Sequence, residues 1–201
     1  MDARDVDRST PKVVRLTKIV GVNAEAYVRN NLGLEQIRAL PAVLNRACPG
    51  TDVWLWDPDD SRKTDPWAWD GGPTDNDESI PVGRWSISGP GLSIHIAPEV
   101  VVVRSLARWG GFLADADLRG RVRTTTAKVV RALGGTDVIW LPDCFLNGSV
   151  PEGEALTIDR IRHYLVTSWG AAQPSLERID DAVLLQAQHS SPKVWFEETI
   201  V

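Results

Sequence analysis

Three histidines and two cysteines hold most of the chain's acid-base and nucleophilic options: His95, His163, His189, Cys48 and Cys144. None stands in an H-x-H, H-E-x-x-H or Cys/His ligand spacing, so no zinc site is expected. The cysteines make no C-x-x-C pair and no disulfide framework, which fits a reducing compartment. Cys144 follows Asp143, just past the apolar run Val138 to Leu141 and the turn residue Pro142. Strand ends of this kind often carry catalytic groups. A nucleophilic Cys144 needs a depressed pKa and a nearby base. Phe145 and Leu146 beside it suit a buried thiol at least as well. Cys48 ends an apolar stripe and reads as packing. His95 has better company, because alternation along a hairpin places it with Arg84, Ser86 and Ser93. An imidazole near two hydroxyls and a guanidinium can do acid-base work on an anionic substrate. The plainer reading is the water-facing side of a hairpin. His163 lies four residues after Asp159 and four before Thr167, a solvated helical stripe before it is a catalytic pair.

Carboxylates and tryptophans gather elsewhere. Between Asp57 and Glu78 there are 8 acids (Asp57, Asp59, Asp60, Asp65, Asp70, Asp75, Asp77, Glu78) against Arg62 and Lys63, a balance of −6 in a chain of net −5. The rest of the chain is therefore nearly neutral, and the acidity belongs to one segment. Pro58, Pro66, Gly71, Gly72 and Pro73 break any regular element there, so 57–83 reads as one long loop. Long structureless loops in compact domains are usually functional or disordered. Trp67 and Trp69 argue for a loop pinned onto the body or onto a partner. The oxygens could serve Ca²⁺, but no D-x-[DN]-x-[DN]-G-x₅-E pattern runs through them, and no metal or other cofactor is expected. A glycosidase-like carboxylate pair with Trp platforms is weaker still, since nothing fixes a separation.

The sharpest functional expectation is thus a non-catalytic cytoplasmic interaction protein of inhibitor or immunity type. Clustered carboxylates would steer a basic protein partner and Trp would anchor it, through Asp57, Asp59, Asp60, Trp67, Trp69, Asp70, Asp75, Asp77 and Glu78. The alternative is a small hydrolase or transferase using Cys144 or His95, with 57–83 as a lid. A basic stripe of Arg121, Thr124, Lys128 and Arg131, flanked by Arg119 and Arg123, could face phosphate. A net acidic chain without a recognition motif disfavours nucleic acid. Hydrophobic content of 43% over 201 residues supports a globular core. No apolar run is long enough for a membrane helix, and the charged start lacks a signal-type apolar region.

These groups need a frame. The expected order is β-α-α-β-loop-β-β-α-α-β-α-β-β. It implies an α+β fold, a mixed and largely antiparallel sheet with helices packed against it, as a single domain over 12–201 behind a disordered tail at 1–11. Strands are expected over Val13 to Val22, Thr51 to Trp56, Arg84 to Ser88, Leu92 to Ile96, Thr136 to Leu141, Ala182 to Gln188 and Lys193 to Glu198. Helices are expected over Ala24 to Asn31, over Leu34 to Cys48 with a kink or restart at Pro41, and from Pro98 to about Leu113 with Arg104 and Arg108 outward, although the valine run there could instead be a strand. Further helices run from Arg121 to Leu133 and from a Thr157 cap to Trp169, and Ser175 opens a short one. In the hairpin, a four-residue connection pairs Ile87 with Leu92 and Trp85 with Ile94. Trp54, Trp56, Trp85, Trp109, Trp140 and Trp169 are expected in the core.

Overall fold

The computed structural model describes residues 22–50, 65–80, 85–143, 156–187 and 192–200. The tail at 1–11, nearly all of the strand expected at 13–22, the strand expected at 51–56, and Asp57, Asp59, Asp60, Arg84, Cys144 and His189 lie outside these residues.

The fold is α+β, built on one seven-stranded antiparallel sheet in the order β2-β3-β4-β5-β1-β6-β7. In chain order the elements are β1 (Asn23–Arg29), α1 (Leu34–Arg38), α2 (Leu40–Ala47), β2 (Ala68–Gly71), β3 (Trp85–Gly89), β4 (Leu92–Ile96), β5 (Val100–Arg108) and α3 (Trp109–Ala114). They continue with α4 (Ala116–Ala132), β6 (Asp137–Pro142), α5 (Ile158–Trp169), α6 (Asp181–Ala187) and β7 (Phe196–Thr199). Among the described residues one isolated parallel bridge joins Gln173 to Phe196 of β7.

Two cores follow from the period-2 alternation of strands. Ala24, Ala26, Val28, Ile94, Val101, Val103, Val138 and Trp140 point to one face and pack under α1 to α4 and α6. Tyr27, Val100, Val102, Ile139 and Leu141 point the other way, against Ile158, Ile161 and Leu165 of α5. A central strand buried on both sides needs apolar residues at both parities, which the valine run of β5 supplies.

Three local expectations are overturned. Most of the helix expected over Ala24 to Asn31 is instead strand β1, because pairing with both β5 and β6 and burial on two faces outweigh the helical preference of its Ala and Glu residues. The helix preferred over Pro98 to Leu113 gives way to the alternative strand reading of its valine run: four consecutive valines are stiff at χ1 and fit a pleated ladder, and the helix α3 starts only at Trp109. Asp181–Ala187 is helix α6, in place of the strand expected over Ala182 to Gln188. The Asp180 carboxylate accepts from the Val183 N–H at 2.9 Å, and Val183 and Ala187 bury one helical turn apart.

Smaller corrections have equally local causes. The β3–β4 hairpin closes through Pro90 and Gly91, with Gly91 at φ 75, so Ile87 pairs with Ile94 and Trp85 with Ile96. This loop is two residues shorter than expected, so parity is kept and both faces carry the residues assigned to them. The Ser175 hydroxyl caps only a turn, accepting from the Glu177 N–H at 3.0 Å. Pro41 in the first turn of α2 does mark a restart, and Thr157 does cap α5. Trp85, Trp109, Trp140 and Trp195 are buried, while Trp169 is only half-buried. Among the described residues no helix is long and apolar enough to cross a membrane.

Candidate functional site

The acidic segment, within its described part 65–80, is a fixed piece of the sheet. Ala68–Gly71 forms β2, the edge strand among the described residues, against β3, with a register shift between Trp69 and Gly71. Trp67, just before it, is 2% exposed and sits in the main core. Its indole N–H donates to the Cys48 carbonyl at 2.7 Å. Asn45 of α2 clamps the Trp67 backbone from both sides, donating to its carbonyl at 2.9 Å and accepting from its N–H at 2.8 Å. Gly89 lies flat under that ring, where a Cβ would come within 2.2 Å of ring carbon. Trp69 is half-buried and meets Trp85 edge-on at 6.4 Å. The tryptophans therefore pin the segment to the body, and Trp67 presents no ring to a partner.

The carboxylates divide into two groups. Asp70 accepts from the Ser88 hydroxyl. Asp77 closes a turn, accepting from the Thr74 N–H at 2.6 Å and hydroxyl at 3.0 Å, while Arg38 of α1 holds the carbonyls of Thr74 and Asp77. Asp65, Asp75 and Glu78 are exposed and carry no side-chain partner among the described residues. From 65 to 80 there are five carboxylates and no lysine or arginine. The structure thus gathers Asp70, Asp75, Asp77 and Glu78 along one sheet edge and its adjoining turn, with Trp67 turned inward.

A second polar cluster occupies the sheet face beside α5. Strand alternation aims Glu25 and Tyr27 of β1, Arg104 of β5, Ser93 and His95 of β4 and Ser86 and Ser88 of β3 to that side. The Glu25 side chain is fully buried. It accepts from the Tyr27 hydroxyl at 2.7 Å and from Arg104 Nε at 2.5 Å. Burial first, then Glu25, holds the Tyr27 phenol well above its ordinary pKa. Burial and the Arg104 charge push His95 below its ordinary value, against an opposing pull from Asp70. Nearby, Asn23 donates to Asp143 at 3.1 Å and accepts from Arg108 at 3.1 Å. The expected neighbours Ser86 and Ser93 do stand with His95, and the guanidinium shown beside it is Arg104. Sequence reasoning missed Glu25 and Tyr27. Their signal was the every-second-residue polarity of Asn23, Glu25, Tyr27 and Arg29.

The sign of the His95 shift gives a pH expectation. Below its ordinary pKa of 6.5 the unfolded chain takes up the proton more readily than the folded one. This contribution to stability is therefore full above that value and is lost as pH falls through it toward the folded value. Between about pH 7.5 and about pH 5.5, His95→Gln should flatten the decline in urea midpoint relative to the unsubstituted chain. An unchanged slope would contradict the assignment.

The other candidates are placed less usefully for chemistry. His163 is exposed, and Asp159 pairs with Arg29 at 3.0 Å and Arg162 at 2.9 Å. Cys48 is buried, which pushes its thiol pKa up despite Lys128 nearby. In the basic stripe, Arg119 turns inward to the Leu113 carbonyl and Arg123 pairs with Glu198 at 2.7 Å. No group of three or more metal-ligating side chains occurs among the described residues. No protein-family model matches this chain, and no curated protein or solved structure matches it.

Proposed function

We propose that the protein is a non-catalytic interaction protein that presents its acidic sheet edge to a basic protein partner, in the manner of an inhibitor or immunity protein. The observation that supports this reading is a strand-paired and Trp-pinned segment carrying five carboxylates and no basic residue over 65–80. Clustered charge accelerates encounter with an oppositely charged surface and selects against like-charged ones. A segment already ordered in the free protein loses little conformational entropy on binding. Asp65, Asp75 and Glu78, which have no side-chain partner among the described residues, steer. Asp70 and Asp77 hold the local geometry, and Trp69 is the aromatic available at the rim. A short, bulged, acidic edge also resists pairing with other strands, so binding proceeds through side chains.

The test separates steering charge from structural carboxylates. Asp65→Lys, Asp75→Lys and Glu78→Lys together take the net charge from −5 to +1, two units per reversal, without touching the Asp70 or Asp77 contacts. Affinity capture from source-cell lysate should retain a basic protein on the unsubstituted chain at low salt, release it at high salt, and not retain it on the triple variant. Equal capture by both chains would overturn the proposal.

A further inference from the structure

The sheet face next to α5 carries a second polar cluster, which meets the acidic edge only at Asp70, beside His95. Ser93 pairs with Arg104 across β4 and β5, Arg104 pairs with Glu25 across β5 and β1, and Ser86 pairs with His95 across β3 and β4. Directly paired residues of adjacent strands hold their Cβ atoms about 5 Å apart on one face, and diagonal neighbours about 7–8 Å. Ser93 beside Arg104 and His95 beside Ser86 lie two residues apart on β4, so the four side chains form one continuous polar strip across β3, β4 and β5. All four are partly exposed, whereas Tyr27, Val100 and Val102 beside them are buried under α5.

Glu25 is the informative residue. A fully buried carboxylate on a central strand is costly, and an apolar pair of similar volume usually stabilises as well or better. What Glu25 achieves is geometric. One of its oxygens takes the Tyr27 hydroxyl and the other takes Arg104 Nε, which fixes the plane of the guanidinium. The terminal Nη1 and Nη2 groups have no partner among the described residues, on a side chain 38% exposed. The hydroxyls of Ser86 and Ser93 and both imidazole nitrogens of His95 likewise have no partner among the described residues. A preorganised fork with further donors around it suits an oxyanion. The fork alone matches two oxygens, as in a carboxylate. Hydroxyl and imidazole donors from β3 and β4 supply the third direction that a tetrahedral group needs.

We propose that Arg104, Ser86, Ser93 and His95 form a binding site for a phosphate monoester group, with Glu25 and Tyr27 as positioning residues for the guanidinium. The charges facing His95 are Arg104 from β5 and Asp70 from β2, with Glu25 of β1 behind Arg104. A bound dianion outweighs the Arg104 charge that opposes protonation and draws a proton onto His95, so binding tightens as pH falls.

The experiment is an NMR titration of the full chain with phenyl phosphate, inorganic phosphate and benzoate, reading Arg104 Nε–H and the His95 ring. Both phosphates should give saturable shifts, with His95 moving toward its protonated form. Benzoate should bind at least about tenfold more weakly than phenyl phosphate. Arg104→Lys keeps the charge beside Glu25 but removes the fork, and should weaken phenyl phosphate at least about tenfold. Ser86→Ala with Ser93→Ala tests the third direction without disturbing the ion pair, and should weaken it severalfold. Absence of saturable shifts, benzoate binding as tightly as phenyl phosphate, or equal affinity in the serine double variant would each overturn the proposal. The Asp65, Asp75 and Glu78 reversals should leave these titrations unchanged, so this site and the acidic edge succeed or fail separately.

Discussion

Arg104→Ala should destabilise the protein by about 3 kcal/mol, because it leaves the Glu25 carboxylate buried with only the Tyr27 hydroxyl. The figure lies at the low end for breaking a buried ion pair, since the Arg104 side chain is 38% exposed while Glu25 is fully buried. Removing both partners is a different matter. Glu25→Leu with Arg104→Met replaces the pair by apolar groups in a sheet whose neighbouring residues Tyr27, Val102 and Ile139 are already apolar or aromatic. With Tyr27→Phe added, so that the buried hydroxyl does not lose its Glu25 acceptor, the variant should fall within about 1 kcal/mol of the unsubstituted chain. Urea unfolding of the three proteins measures the difference. A loss for Arg104→Ala below about 1 kcal/mol would mean that Glu25 is not held as described.

Trp67→Ala should cost about 3–5 kcal/mol, the range for deleting a large buried aromatic. The ring is packed between Gly89 and the core, and its N–H satisfies the Cys48 carbonyl. The same contact can be attacked from the opposite side. Gly89→Ala puts a methyl 2.2 Å from ring carbon, so either the ring leaves or the strand bends, at a cost of about 1–3 kcal/mol or more. Both variants should also speed hydrogen exchange at the Trp67 and Trp69 amides, because the segment loses its anchor. Two variants with unchanged urea midpoints would show the ring to be a surface group.

Both predictions turn on residues whose neighbours local pattern could not supply. Where local chemistry suffices, reading is straightforward. Thr157 before the stripe Ile158, Ile161 and Leu165, and the apolar run Val138 to Leu141 after two glycines, define α5 and β6 without outside help. Both faces of the β3–β4 hairpin are likewise legible, because slipping a strand by two residues keeps parity. Failure comes where tertiary burial outweighs propensity. Asn23–Arg29 holds two alanines and a glutamate that favour a helix in isolation, yet the segment is an interior strand of the sheet, between β5 and β6. Reading it as a helix hid Glu25. Arg104 and Arg108 share a face in a helix, four residues apart, and also in a strand, at even spacing. Their outward direction was therefore legible under the wrong element, while the partner Glu25 was not. Trp67 shows the same limit: the prolines and glycines around it announce a loop, and only the fold brings Asn45 and Cys48 to it.

The central claim is that the pinned acidic edge steers a basic partner, and the association rate constant of that partner tests it most directly. Rates for the unsubstituted chain and for the Asp65, Asp75 and Glu78 triple reversal should be compared from about 20 to about 200 mM salt. The proposal predicts a rate that falls at least about tenfold with salt for the unsubstituted chain, and a slow rate with little or opposite salt dependence for the variant. Equal rates and equal salt slopes for the two proteins would contradict it.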